Sequence, residues 1–471
     1  MNRKKLLAEE TALEGSRRCV AKGIDKRLIE SIAGRSLKIA VIGCGYVGLP
    51  TAALFADVGF QVTAFDKRIE VAMAVNNGLS PIHEAGLEEI IHRNNRASRL
   101  VGSSDTKWAS GRFDAVLVAV QTPVDSSGKS DLSAFSAAID QIGDNLSAGM
   151  LVMVISTVPI GTMNRTAKER LETISHLKAE SDFLLAYSPE RMSPGRAVEE
   201  FRNNKRIVGG IGPRSTRVAS HLFKTVCETI TETDAQTAEV TKLAENAFRN
   251  ANIAFANQLA LICESAEVDA SEVIRLANTH PRVDILSPGP GAGGPCLRKD
   301  SLALIQDYLP IETNLLRTAN SVNSHMATHV VHLVQQGLTR AGKTPCKSRI
   351  AVLGTTYKRD VDDVRDSPAE PVINGMMSQG MRVMTFDPYS SESFGGVKTR
   401  SVEECVQKCD AIVLMTDHSD FSNISLEKIR RRMNAGPFVV DARRAFNPIL
   451  VSKSGFDYLG IGWGVRLTES H

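Results

Sequence analysis

The chain has 471 residues, of which 42% are hydrophobic, 23% are charged and 5% are aromatic, and its formal net charge is +3. This length exceeds what one hydrophobic core supports, so we expect about three domains. The composition excludes a disordered or fibrous protein, and the small net charge gives no argument for nucleic-acid binding.

Residues 1–30 are charged throughout and lack the apolar core of a signal peptide. We expect a helical extension, by default a solvated appendage. No apolar run approaches the ~20 residues of a membrane span, so no membrane insertion is predicted. Eight cysteines are scattered without CxxC spacing, a pattern that fits reduced thiols in a cytoplasmic protein. Core packing is favoured over zinc binding at Cys405 and Cys409, and no metal site is predicted.

A dinucleotide-binding signature follows the extension. An apolar strand is predicted over residues 37–42, then the loop GCGYVG over 43–48, a helix over 51–58 and a strand over 61–65 that ends in Asp66. A lone GxGxxG is weak evidence, but here it lies between a strand and a helix, with an acid 18 residues after its last glycine. The alternative is a glycine turn that binds no nucleotide.

Each residue type in this loop has a physical reason. Gly43 permits the tight turn, Gly45 lets a pyrophosphate approach the backbone, and Gly48 lets helix and strand pack closely. Tyr46 and Val47 complete the loop, whose helix end offers N–H groups to the anion. Asp66 is expected to bind the ribose hydroxyls and to favour NAD over NADP, a preference that Lys67 and Arg68 weaken.

Polar residues end two further buried strands, predicted over 115–120 and 151–155. Ligands of doubly wound sheets bind outside the carboxyl ends of strands, so Thr122 and Thr157 are placed to meet cofactor and substrate. A third strand leads to Glu190 and Arg191 on a proline-bounded loop. Glu190 suits proton transfer or the orientation of a water, and a surface salt bridge is the equally favoured alternative.

A long helix is predicted from Asp234 to about Val268. Lys242, Asn246 and Arg249 lie on one face, and the small and apolar residues around them, Phe255 included, indicate a largely buried helix. A lysine and amides buried there would need partners, and a helix this long suits a dimer core.

The glycine-rich run 289–295 delivers Cys296, which Arg298, Lys299 and Asp300 follow. The cations would favour a thiolate and Asp300 would serve as a general base, so the grouping suits a nucleophilic cysteine. A buried, inert cysteine is the alternative. After a helix over about 312–341, strand and helix signals alternate again without GxGxxG. In this second unit Lys358, Arg365 and Arg443 would grip a diphosphate or serve structural roles.

In this order the motifs GCGYVGLP, STVPIGT, SPER, AEVTKLAENAFRNANIAFANQLALICE, GPGAGGPC and YKRDVDDVRDSP resemble the UDP-glucose/GDP-mannose dehydrogenase family. The resemblance covers about residues 37–450. It implies an α/β protein with two doubly wound, Rossmann-like domains joined by a long helical dimerisation segment. The expected boundaries are an extension over 1–36, an NAD-binding domain over 37–233, a helical domain with the cysteine loop over 234–342, and a UDP-sugar domain over 343–471.

The resemblance also implies roles for particular residues. Cys296 would be the nucleophile, Lys242 and Asn246 would stabilise the oxyanion, and Asp300 would assist proton transfer. Thr157 and Glu190 would position a water. The implied substrate contacts are Glu190, Arg191, Lys242, Asn246, Arg249, Arg282, Gly293, Tyr357, Lys358 and Arg443.

The segment RLANTHPRVDILSPGPGAGG resembles the branch that acts on UDP-N-acetyl-D-mannosamine, although Pro295 stands where that branch often has His. The implied activity is NAD-dependent four-electron oxidation of C6 of a UDP-N-acetylhexosamine, for surface polysaccharide precursors. UDP-N-acetylglucosamine or UDP-glucose is the alternative substrate. A two-electron dehydrogenase, an epimerase and a sensor without turnover are the competing functions.

Overall fold

The computed structural model describes residues 23, 25–105, 112–125, 128–308 and 310–465. The chain divides into two compact units between Ala244 and Glu245. Each unit contains a sheet of mainly parallel strands with helices on its faces. The protein is therefore of the predicted α/β class, with two Rossmann-like sheets.

The first unit contains an eight-stranded sheet in the order β3-β2-β1-β4-β5-β6-β7-β8. Neighbouring strands are parallel except β6 and β7. The first six strands have the order of a dinucleotide-binding sheet. In that order, successive strands are added on one side of β1 up to β3 and then on the other side from β4 onward. The strands are β1 (Lys38–Ile42), β2 (Gln61–Phe65), β3 (Leu100–Ser103), β4 (Ala115–Val118), β5 (Leu151–Val154), β6 (Leu184–Tyr187), β7 (Arg206–Gly210) and β8 (Ile230–Asp234).

Strands β4, β5 and β6 are buried along their whole length, because helices cover both faces of the sheet. A π-helical turn at Met163–Lys168 leads into α6. The helices are α1 (residues 25–33), α2 (Gly48–Asp57), α3 (Ile69–Asn76), α4 (Leu87–Arg96), α5 (Ser133–Asn145), α6 (Glu169–Ser175), α7 (Ala197–Asn203), α8 (Pro213–Phe223) and α9 (Ala235–Ser265).

Helix α1 corrects the expectation of a solvated N-terminal appendage. Leu28 and Ile32 are 1% and 3% exposed and belong to the core of the first unit. Asp25 is buried and forms ion pairs with Arg214, at 2.8 Å, and with Arg217. The described end of the extension is part of the fold, because a leucine and an isoleucine one turn apart place their side chains on one helix face. Residues 1–22 lie outside the described part.

The second unit contains a six-stranded parallel sheet in the order β11-β10-β9-β12-β13-β14, which repeats the dinucleotide-fold order. The strands are β9 (Arg349–Leu353), β10 (Arg382–Phe386), β11 (Val397–Lys398), β12 (Ala411–Leu414), β13 (Phe438–Asp441) and β14 (Asp457–Gly460). The helices are α10 (Ala270–Ala277), α11 (Leu297–Ile305), α12 (Pro310–Arg340), α13 (Ala369–Ser378), α14 (Val402–Cys405), α15 (Leu426–Arg430) and α16 (Pro448–Lys453).

Helix α9 is less buried than predicted. Lys242 and Asn246 are 9% and 7% exposed, but Phe248 and Phe255 are 68% and 55% exposed. The sequence pattern shows that apolar residues lie on a helix, but it does not show whether anything in the same chain covers them. Within the described residues, no helix is both long enough and apolar enough to cross a membrane.

Candidate active site and cofactor site

Cys296 lies at the N-terminus of helix α11 as its N-cap residue, and it is exposed. A helix N-terminus favours negative charge, which suits a thiolate. This position distinguishes Cys296 from the buried cysteines at 44, 227, 263, 405 and 409. The alternative of a buried cysteine is therefore wrong, and the reactive thiol stays a prediction.

The loop before Cys296 is held by backbone and amide contacts. The N–H of Gly289 donates to Oδ1 of Asn257 at 2.8 Å, and the N–H of Gly294 donates to the carbonyl oxygen of Asp366 at 3.2 Å. Gly294 has φ +88°, and a Cβ there would lie 2.6 Å from the Tyr357 ring. Only glycine tolerates both the positive φ and the short distance to the ring. A glycine is therefore required at this point of the loop that leads to the thiol.

Asp300 is fully buried one helical turn after the thiol. The Nδ2 of Asn246 donates to Oδ2 of Asp300 at 2.5 Å, and the Nζ of Lys299 lies 2.8 Å from Oδ1. The ammonium group of Lys299 therefore lies against Asp300. The buried side-chain amide of Asn246, which was expected to need a hydrogen-bond partner, has one in Asp300. Arg298 is exposed.

Tyr357 and Arg365 lie near Cys296. The pKa of Tyr357 is raised, chiefly by burial and further by the nearby charges of Asp363 and Cys296. Arg365 forms a two-pronged ion pair with Asp363, with Nη2 to Oδ2 at 2.6 Å and Nε to Oδ1 at 2.9 Å. The loop after β9 thus places a phenol and a guanidinium near the thiol.

The remaining residues predicted to hold the substrate have different environments. Arg443 donates from Nε to the carbonyl oxygen of Met415 at 2.9 Å and from Nη2 to that of Tyr357 at 3.2 Å. Burial lowers the pKa of Arg443. A Cβ at Gly293 would lie 3.0 Å from Tyr357. Lys358 is half-buried, whereas Arg249 and Arg282 are exposed.

Two threonines predicted from strand ends are in contact in the first unit. Thr122 follows β4, Thr157 follows β5, and Oγ1 of Thr122 donates to the backbone oxygen of Thr157 at 2.5 Å. These strands are neighbours in a parallel sheet, so their carboxyl ends lie at the same edge. The prediction that the two residues belong to one edge of the sheet agrees with this geometry.

Glu190 is buried and engaged rather than exposed. Its Oε2 accepts from Nη2 of Arg206 at 2.7 Å, and its Oε1 accepts the N–H groups of Arg191 at 2.7 Å and Met192 at 3.0 Å. The Arg206 guanidinium lies over the rings of Phe201 and Phe223, at 4.2 and 4.5 Å. Glu190 does form an ion pair, but the pair lies in the protein interior. The alternative of a surface salt bridge is therefore wrong.

Glu84 was not singled out in the sequence. Its carboxylate accepts the N–H groups of Gly195, at 2.8 Å, and Ala197, at 2.7 Å. It thereby holds the far end of the Glu190 loop. An acid in a short loop between α3 and α4 gives no local signal of this role, because its partners lie more than 100 positions away.

The glycine loop after β1 fits a dinucleotide pyrophosphate. A Cβ at Gly48 would collide with the carbonyl oxygen of Gly43, so helix and strand approach closely, as predicted. A Cβ at Gly45 would meet no atom within 4 Å, so the backbone there faces open space. Helix α2 begins at Gly48, with Val47 as its N-cap and Tyr46 just before, and no side-chain hydrogen bond caps it. Its first N–H groups are oriented for an anion.

Asp66 lies directly after β2, and its Oδ2 accepts the N–H of Cys44 at 3.0 Å. The carboxylate is thus held beside the glycine loop, where a ribose-binding acid belongs. Arg68 also binds this carboxylate, with Nε to Oδ1 at 3.0 Å. Among the described residues there is no group of three side chains suited to a metal ion.

Family models cover most of the chain in three segments. They describe the NAD binding domain, the central domain and the UDP binding domain of the UDP-glucose/GDP-mannose dehydrogenase family, and they match residues 37–227, 236–325 and 351–448. The cofactor is therefore NAD, as predicted, and the substrate is a nucleotide sugar.

Individual relatives agree with these models. The chain is 36% identical to a UDP-N-acetyl-D-mannosamine dehydrogenase of Pyrococcus horikoshii, over 91% of this chain and 100% of that protein. It is 35% identical to an NDP-N-acetyl-D-galactosaminuronic acid dehydrogenase of Ralstonia nicotianae, over 86% and 95% of the two chains. The solved structure of a UDP-D-ManNAc dehydrogenase from P. horikoshii superposes with a TM-score of 0.85 at 35% identity, covering 91% and 100% of the two chains.

Agreement in sequence, in fold and in the order of the three domains leads to one conclusion. This chain belongs to the UDP-glucose/GDP-mannose dehydrogenase family, whose members are NAD-dependent nucleotide-sugar dehydrogenases.

Proposed function

We propose that this protein oxidises the C6 hydroxyl of UDP-N-acetyl-D-mannosamine to the carboxylate, with the sugar held covalently on Cys296 between the two oxidations. The observation that carries the proposal is the exposed Cys296 thiol at the N-terminus of α11, with buried Asp300 one turn later. The name of the P. horikoshii relative supports the choice of sugar.

The chemistry explains why a thiol is needed. NAD, when bound, accepts one hydride in each of the two oxidation steps. The first oxidation leaves an aldehyde, whose planar carbon cannot release a second hydride until a nucleophile adds to it. The Cys296 thiolate adds to give a tetrahedral thiohemiacetal, oxidation of this adduct gives a thioester, and water then releases the carboxylate and the thiol. Overall, one alcohol and one water yield a carboxylate, two hydrides and three protons.

The other assigned residues act around this carbon. Lys242 and Asn246 are the proposed stabilisers of the negative oxygen, and Asp300 is the proposed proton acceptor. The hydrogen bond from Asn246 to Asp300 supports a shared role for these two residues. Thr157 and Glu190 are the proposed positioning residues for water. Because Glu190 already accepts three N–H groups, we assign it to orientation rather than to proton transfer.

The nucleotide sugar is proposed to contact residues on both the cysteine loop and the second sheet. Tyr357 has the strongest structural support, because it is half-buried near Cys296 and packs against Gly294. Arg443 receives a structural role in place of diphosphate binding, since it donates to two backbone carbonyls. The other proposed contacts are Arg191, Lys242, Asn246, Arg249, Arg282, Gly293 and Lys358.

A second sugar is favoured by one observation. The R. nicotianae relative, named for N-acetyl-D-galactosaminuronic acid, is almost as similar in sequence as the mannosamine relative. An NAD-reduction screen should therefore compare UDP-N-acetylmannosamine, UDP-N-acetylgalactosamine, UDP-N-acetylglucosamine and UDP-glucose. We expect the highest kcat/KM with UDP-N-acetylmannosamine. A clear preference for any other sugar contradicts the assignment without touching the thiol mechanism.

The thiol mechanism is tested by counting NADH per sugar and by replacing Cys296. The wild-type protein should form two NADH per sugar, whereas Cys296→Ser should lose net uronate formation by about 10³-fold or more, because an alcohol is a far weaker nucleophile. Cys346→Ser is the matched control, since Cys346 is also exposed but lies in the turn before β9. Near-normal uronate formation by Cys296→Ser contradicts the covalent route.

We also propose that the protein forms a homodimer through α9. Phe248, Phe255 and Ile262 recur every seven residues, and they are 68%, 55% and 57% exposed. Such a stripe on a long helix suits packing against a second copy of itself. Phe255→Glu should halve the mass measured by light scattering, whereas Leu450→Glu, equally exposed on α16, should not change it. An unchanged mass for Phe255→Glu contradicts this interface.

The proposed reaction also has a proposed cellular role. We place the reaction in the cytoplasm, in the supply of uronate precursors for a surface polysaccharide. The described cysteines form no disulfide, which agrees with a reducing compartment.

A further inference from the structure

The carboxylate of Asp66 is saturated with hydrogen-bond donors. Its Oδ2 accepts the N–H of Cys44 at 3.0 Å and Nη2 of Arg68 at 3.1 Å. Its Oδ1 accepts both the backbone N–H and Nε of Arg68, each at 3.0 Å. A carboxylate offers about four acceptor positions, so these four donors occupy all of them.

This saturation bears on how the site recognises a dinucleotide. An acid at the end of the second strand selects NAD by accepting the ribose hydroxyls and by repelling a 2′-phosphate. Here a ribose hydroxyl gains an acceptor only if Arg68 releases Asp66. The Arg68 side chain is 50% exposed and that of Asp66 is 8% exposed, so the arginine shields the acid from solvent.

The charge at this position also differs from that of a lone acid. The guanidinium of Arg68 neutralises the carboxylate, and because its side chain is 50% exposed it is an accessible cation of the kind that pairs with phosphate. Burial raises the pKa of Asp66, but hydrogen bonds from Arg68 and Cys44 outweigh it and lower the pKa, so the pair stays charged near neutral pH. The exposed Lys67 adds a second cation, and Glu70 opposes them from the next turn.

We propose that Arg68 is a specificity-determining residue of the dinucleotide site. The site admits NADP(H) as well as NAD(H), because Arg68 takes up the acceptor positions of Asp66 and binds the 2′-phosphate. The inference rests only on the dinucleotide site. It is independent of the identity of the sugar and of the chemistry at Cys296.

Equilibrium binding tests it without turnover. NADH and NADPH fluorescence titrations of the full-length protein, with no sugar present, give both dissociation constants. We expect the wild-type dissociation constant for NADPH to lie within about tenfold of that for NADH at low salt. The NADPH value should rise more steeply with salt, since the 2′-phosphate contact is between charges.

Replacement of Arg68 should increase the difference between the dissociation constants for NADPH and NADH. Arg68→Gln should weaken NADPH binding by about tenfold or more, because it removes a charge-assisted contact. It should leave NADH binding unchanged or tighter, because it frees acceptor positions on Asp66. Arg93→Gln is the matched control, since Arg93 forms the same two-pronged pair with Asp57 at the far end of α2 and is 51% exposed.

Three results would overturn the proposal. The first is a wild-type dissociation constant for NADPH about a thousandfold above that for NADH, as expected of a strongly selective acid. The second is an equal change, or no change, for both nucleotides in Arg68→Gln. The third is a loss of NADPH binding in Arg93→Gln that matches the loss in Arg68→Gln, which would indicate a general effect of surface charge.

Discussion

Glu239, near the start of α9, shows how one buried residue links distant parts of the first unit. Its carboxylate is fully buried and accepts the N–H groups of Gly161, at 2.6 Å, and Met163, at 2.7 Å. These donors lie in the turn that follows the strand-end Thr157. Burial raises the pKa of Glu239 to about 7 even though the two hydrogen bonds oppose the shift.

This raised pKa predicts a pH-dependent stability. The folded state holds its proton more tightly than the unfolded state, whose pKa is near 4.5. The contribution of Glu239 to the free energy of unfolding is therefore constant below about pH 4.5, falls by about 3 kcal/mol as the pH rises to about 7, and is constant above that.

The variant Glu239→Gln tests this prediction because it removes the titration. Its own cost, the loss of one acceptor oxygen, does not depend on pH. The free energy of urea unfolding, measured at pH 5 and at pH 8, should favour the wild type over the variant more strongly at pH 5. A difference that is the same at both pH values contradicts the raised pKa.

At the scale of elements, asparagines connect α9 to α12. Asn323 accepts from Nδ2 of Asn257 at 2.9 Å and donates to both the carbonyl oxygen and Oδ1 of Asn250, at 3.0 and 2.9 Å. Asn250 also donates to Oδ1 of Asn320 at 2.8 Å, and Asn257 holds Gly289. Buried amides must be paired, so this ladder fixes the register of the two helices beneath the cysteine loop.

Replacing a central asparagine of this ladder should lower the free energy of unfolding more than replacing an outer one. Asn323→Ala leaves buried polar atoms of Asn250 and Asn257 without that partner, and it should lower the free energy of unfolding by about 2–4 kcal/mol. Asn320→Ala loses one of the ladder contacts and should cost about 1 kcal/mol. Chemical denaturation of both variants measures the difference. Equal costs would mean that the ladder does not act as a unit.

At the scale of the whole molecule, the chain adds an N-terminal helix to the segment that the family models match. Helix α1 precedes residue 37, where the first match begins. Leu28 and Ile32 complete the core on one face of the first sheet. Helix α1 is thus a structural part of the first unit.

Leu28→Ala should destabilise the first unit by about 2–4 kcal/mol, because it leaves a cavity in a packed core. Lys26→Ala is the control, since the Lys26 side chain is 80% exposed on the same helix. Hydrogen exchange measured by mass spectrometry should speed up in peptides from residues 37–227 for Leu28→Ala alone. Unchanged protection there would mean that α1 contributes little to the core.

The sequence alone predicted the elements that have strong local signals. The strand over 61–65 has the predicted bounds, because it is a short apolar run with punctuation at both ends. The edge strand β3 and the strands β7 and β8 were not predicted as elements. Glycine or polar residues interrupt their apolar pattern, so their pairing depends on neighbours that are distant in sequence.

The same division holds for the site. The glycine loop, Asp66 and Cys296 were predicted as site residues from spacing and residue type, because close approach, ribose binding and a nucleophilic sulfur would each require particular residues. Only the tertiary structure showed that Arg206 holds Glu190, that Arg68 saturates Asp66 and that Arg443 donates to backbone carbonyls. Sequence determined which chemical groups the protein carries. Folding decided which of them are already engaged, because a charged side chain binds whatever partner the packed chain brings within reach.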